Sequence, residues 1–123
     1  MGSKRRRRRL VADGTVYGWC FWHRHDRRRG HAGCSSTLTL WRPDSTARLR
    51  LVFHRAPGRL IADGYLTEGA AMRLPDGAYL NLHEPKNVRS LLDEALTSGL
   101  FPKTGTTETT GWPLFDALLP PPP

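Results

Sequence analysis

Six consecutive cations, Lys4, Arg5, Arg6, Arg7, Arg8 and Arg9, and a second cluster, Arg27, Arg28 and Arg29, are the residues here whose type and spacing point most directly to chemistry. The chemistry is electrostatic. Ammonium and guanidinium groups in an unbroken run cannot pack into a core, and they serve as a solvated arm or as a contact for polyanions such as nucleic-acid backbones. The charge is unevenly placed. Residues 1–29 carry ten Lys and Arg against two Asp and Glu, whereas the remaining residues are balanced, so the whole net charge of +8 resides in the first quarter of the chain. Residues 1–9 have no apolar partner before Leu10 and are expected to be a disordered basic arm.

A second constellation is Cys20-x-x-His23 followed by His31-x-x-Cys34, with His25 between them. Two thiolates and two imidazoles form a proper zinc set, and this is the alternative reading of the segment. Against it, an extended strand directs Cys20 and His23 to opposite faces, so the plainer reading keeps Cys20 as a core thiol with no metal or other cofactor. Nucleophilic catalysis requires a Cys or Ser beside a positioned His and an orienting carboxylate, and no spacing here selects such a group. His83-Glu84 reads as helix capping, and Asp63-Gly64 and Asp76-Gly77 read as turns. The glycines follow neither the P-loop nor the dinucleotide-binding plan. The chain is therefore read as non-enzymatic.

The elements that must position these groups follow from periodicity and turn chemistry. At 123 residues the chain fits one domain, expected over residues 10–119 with a polyproline tail at 120–123. No apolar run approaches the ~20 residues needed to cross a bilayer, and the start Leu10-Val11-Ala12 is cut short by Asp13-Gly14, unlike a secretory signal. A soluble, cytoplasmic protein without membrane contact is expected, with its two cysteines as thiols. Residues 15–25 are rich in aromatic and β-branched types and read as a strand after the Asp13-Gly14 turn; residues 27–33 read as a loop and 36–42 as a strand. Residues 47–55 alternate, with Leu49, Leu51 and Phe53 on one side and Arg48, Arg50 and His54 on the other. Weaker strands are expected over 59–66, 70–74 and 78–82, and 104–111 reads as a threonine-rich loop. Pro85 at a first helical position, Val88, Leu91, Leu92, Ala95 and Leu96 at helical spacing, and Gly99 past the end predict a helix whose reverse face of Lys86, Arg89, Asp93 and Glu94 is solvated. Trp112, Phe115 and Leu119 predict a short docking helix.

The expected fold is α+β, an antiparallel meander of about four to six strands with one main C-terminal helix packed on one face. Register then constrains the surface. If Leu38 and Leu40 share the core with Leu49, Leu51 and Phe53, a hairpin through 43–46 sets Trp41 across from Arg48 and Thr39 across from Arg50. One helix covers one face, so the other stays open, basic and aromatic. Rings interleaved with arginines form a stacking platform for unpaired bases, with cations for the phosphates. The chain is accordingly read as a small nucleic-acid-binding protein using Lys4 to Arg9, Arg27 to Arg29, Trp41, Arg48 and Arg50. The alternative is an adaptor or regulatory subunit that offers its sheet face or its C-terminal segment to a protein partner.

Overall fold

The computed structural model describes residues 7–24, 35–61 and 69–122. Asp13-Gly14 forms a two-residue turn with both residues at positive φ (52° and 80°), the mirror-image turn whose twist matches paired strands. It joins β1 (Arg8–Ala12) to β2 (Thr15–Arg24), with Ala12 opposite Thr15 and Arg8 opposite Trp19. Two of the cations assigned to the arm, Arg8 and Arg9, are therefore strand residues. Beyond β2 come β3 (Ser35–Trp41) and β4 (Arg48–His54), antiparallel neighbours in which Trp41 faces Arg48 and Thr39 faces Arg50, the pairs expected from alternation.

The fifth strand of this sheet is β8 (Thr106–Thr110), which pairs parallel with β4 and completes the order β1-β2-β3-β4-β8. The threonine-rich segment read as a loop is thus an edge strand. Its β-branched run suits pleated backbone, but parallel pairing requires a crossover from β4 through all the intervening elements, which no local pattern announces. Between β4 and β8 the chain builds a second sheet of β5 (Arg59–Ile61), β6 (Ala70–Arg73) and β7 (Tyr79–Asn81). The α+β class with a helix on one face is the observed one, and the eight strands among the described residues are divided between two sheets.

Helix α1 (Pro85–Thr97) begins with Pro85 and ends at Gly99, whose φ of 76° is the left-handed conformation that glycine supplies at least cost. Leu100 N–H donates to the Ala95 carbonyl (2.9 Å), closing the last turn. Val88, Leu91, Leu92 and Ala95 are fully buried against the large sheet's inner face, where Trp19, Leu38, Leu40, Leu49, Leu51 and Phe53 are equally inaccessible. Burying each such leucine stabilises the fold by roughly 1.5–3 kcal/mol. The helix's reverse face is not merely solvated. Arg89 donates to the Val11 carbonyl (3.2 Å) and to Asp93 (3.0 Å) and lies 3.5 Å from Asp13, so it fastens α1 to the first hairpin. Ile61, Ala71, Leu80 and Leu82 bring the small sheet onto the same core. Among the described residues no helix is long and apolar enough to cross a membrane.

Helix α2 (Trp112–Leu118) buries Trp112, Leu114 and Phe115, with Trp112 Nε1 donating to the His54 carbonyl (2.9 Å). Its Asp116 receives both guanidinium nitrogens of Arg59 (2.7 Å each) and one from Arg73 (2.9 Å), and Arg73 also donates to Asp76. Arg73, itself buried, lies over the Phe115 ring (5.5 Å). These bonds tie β5 and β6 of the small sheet to α2. They also hold two carboxyls below the ordinary carboxylate range: Asp116 chiefly through Arg59, and Asp76 chiefly through Arg73. A depressed folded-state value means the stabilisation is complete above the unfolded value near ~4 and is lost as pH falls through the folded one. Asp116→Asn should therefore lower the melting temperature at neutral pH, and the two proteins' melting temperatures should converge as the pH falls through the depressed folded-state range in thermal melts across the acid range.

Candidate functional site

The second face of the large sheet is built row by row from strand register. One row reads Arg9, Gly18, Trp41, Arg48, Thr106; the next reads Cys20, Thr39, Arg50, Glu108; a third reads Trp22, Thr37, Val52, Thr110. The aromatic strand β2 has divided its residues by parity, with Tyr17, Trp19 and Phe21 in the core and Gly18, Cys20 and Trp22 on this side. Gly18 is required here by a close approach rather than by its backbone angle. The Trp41 indole occupies the space where a Cβ at residue 18 would sit, so any side chain there collides with the ring. The indole is thereby laid across the neighbouring strand in a set position.

Two guanidiniums attend that ring, Arg7 at 5.5 Å and Arg48 at 5.8 Å from its centroid. Arg7, Trp41 and Arg48 are shared by two adjoining open clefts, of about 520 Å³ towards the β3–β4 turn and about 310 Å³ towards the sheet centre. Arg42, Ser45 and Thr46 complete the first, and Cys20, Thr39 and Arg50 the second. Neither acid nor imidazole lines the second cleft among the described residues. Arg50 is paired with Glu108 (3.4 Å), which is the one carboxylate among this face's strand residues. Arg7, Arg9 and Arg48 have no carboxylate partner among the described residues. The other paired acids, Asp13, Asp76, Glu84, Asp93 and Asp116, are engaged with Arg89, Arg73, Lys86 and Arg59 on the helical and small-sheet side.

The structure thus brings Arg7, Arg9, Trp41, Arg48 and Arg50 of the expected site together and sends Arg8 elsewhere. Arg8 alternates onto the core side, where its guanidinium lies 4.8 Å over Trp19 and donates to the His83 carbonyl (3.1 Å). Lys4, Arg5, Arg6, Arg27, Arg28 and Arg29 lie outside the described residues. Of the alternative zinc set, His31 and Cys34 also lie outside them. Cys20 is a buried free thiol on the second face, whereas His23, on the inner face, has Nδ1 at 2.9 Å from Ser36 Oγ. No group of three or more His, Cys, Asp or Glu is placed to hold a metal among the described residues.

Arg42 was not legible as a site residue. Its guanidinium rests near the Tyr17 and Phe101 rings (5.7 and 5.3 Å) at the rim of the first cleft. Its only signal in the sequence is its position directly after Trp41 at the strand end. No protein-family model, curated protein or solved structure matches this chain.

Proposed function

We propose that this chain is a small, non-enzymatic, cytoplasmic nucleic-acid-binding protein that engages its ligand through the second face of the large sheet and its basic N-terminal residues. One observation carries the reading: Arg7 and Arg48 attend Trp41 and Arg9 lies in the same row of the face, none of the three with a carboxylate partner among the described residues, while the described acids other than Glu108 and the exposed turn residue Asp44 lie on the opposite side. Like charges held together repel, and that repulsion is relieved by a polyanion that releases its own condensed counterions on contact. Lys4, Arg5 and Arg6 directly precede Arg7 in the sequence and add three cations to the same end of the chain. Arg27, Arg28 and Arg29 supply a further basic cluster.

The test is salt-dependent binding of a labelled oligonucleotide by the full chain and by the triple variant Arg7→Gln, Arg9→Gln, Arg48→Gln. Each lost phosphate contact removes about 0.7–0.9 from the slope of log K against log salt, so the variant's slope should be shallower by about 2 to 3. An unchanged slope would take binding off this face, and absence of binding by the full chain together with a stoichiometric protein partner from the native source would replace this reading with the adaptor.

A further inference from the structure

We infer that the ligand of the cleft beside Trp41 is a single-stranded polynucleotide, one unpaired base of which stacks on the indole while Arg7 and Arg48 transfer from the ring to the flanking phosphates. This rests on the nucleic-acid reading above and narrows it. A duplex offers a convex row of phosphates with its base faces already occupied by their neighbours, and a surface matched to it needs cations alone. This face has more than cations. Trp41 is laid over Gly18, where no side chain larger than hydrogen fits, so the ring lies down against the neighbouring strand. Beside it the sheet drops to the short, neutral side chains Cys20 and Thr39, both buried, which floor the cleft of about 310 Å³ between Trp41 and Arg50. A hollow with an aromatic wall, a small uncharged floor and a guanidinium rim accepts a flat base edge-on and leaves its phosphates at the rim.

The positions of Arg7 and Arg48 support the same ligand. Both guanidiniums attend the indole and neither holds a carboxylate among the described residues, so each is placed to exchange a cation–π contact for a phosphate. Arg50, by contrast, is already held by Glu108 and marks the far wall of the hollow. Charge complementarity thus selects a polyanion, and the ring with its hollow selects one that has unpaired bases to insert.

The experiment compares binding of the full chain to labelled oligothymidylate and oligouridylate of about 12 nucleotides, a hairpin duplex of equal phosphate number and oligoglutamate, at matched salt. One or both single strands should bind more tightly than the duplex. Trp41→Ala should weaken single-strand binding by about 5- to 150-fold and leave duplex binding unchanged, while Trp41→Phe retains most of the affinity. Equal affinity for duplex and single strand, an equal loss on both with Trp41→Ala, or oligoglutamate bound as tightly as the single strands would overturn the inference. Should Trp41→Ala not fold, the wild-type ranking of the ligands and a comparison of Trp41→Phe with Trp41→Leu decide it. Failure of every nucleic-acid probe to bind would instead strike the broader reading.

Discussion

Removing residues 1–6 should flatten the salt dependence of nucleic-acid binding without altering the melting temperature. The truncation deletes Lys4, Arg5 and Arg6 and stops short of Arg7, which belongs to the cleft. If each of the three meets a phosphate, the slope of log K against log salt loses about 2.1 on a single strand and about 2.7 on a duplex. Between 50 and 200 mM salt the full chain would then lose about 20- to 40-fold more affinity than the truncated one. Extending the deletion through Arg9 should behave differently. It removes the Arg8 contacts to Trp19 and the His83 carbonyl and shortens the edge strand, so the melting temperature should fall as well. Equal slopes for the full and shorter chains would assign binding to the sheet face alone, and equal melting temperatures for the two truncations would remove Arg8 from the fold's support.

Leu92→Ala should destabilise the protein by about 2–5 kcal/mol, read as a shift in the denaturant midpoint. Leu92 is fully buried in the cluster that joins α1 to the inner face of the large sheet, and truncating it leaves a cavity in packing that relaxes only partly. The appropriate control is Lys86→Ala, because Lys86 on the same helix has a side chain 80% exposed and should change stability by less than about 0.5 kcal/mol. Arg89→Ala should fall between them, since Arg89 bridges α1 to Val11 and the Asp13 turn. Similar midpoints for Leu92→Ala and Lys86→Ala would mean that α1 does not carry the core.

Much of this arrangement was legible in the residues because it depends on near neighbours. Leu49, Leu51 and Phe53 alternate with Arg48, Arg50 and His54, and a one-residue slip would put all three apolar groups into water, so the β3–β4 register and its Trp41–Arg48 pair follow from the pattern. Pro85 and Gly99 delimit α1 for equally local reasons, a preset φ at one end and a left-handed residue at the other. The run of arginines is the opposite case. Alternation carries no information when every residue is Arg, so nothing in the run distinguishes Arg8, which turns onto Trp19, from Arg7 and Arg9, which face the second side. That assignment was made by pairing with β2.

The threonines of β8 likewise have strand propensity, but their partner β4 lies more than fifty residues earlier, across the small sheet and α1. The junction of Arg59, Arg73, Asp76 and Asp116 joins charges from three separate elements and a turn, each ordinary alone. Sequence by itself determined the elements, their inner faces and a basic, aromatic outer face, because periodicity and turn chemistry act over a few residues. Tertiary structure decided which cations remain unpaired on that face, because a guanidinium's partner is set by which distant strands and helices the fold brings within about 4 Å of it.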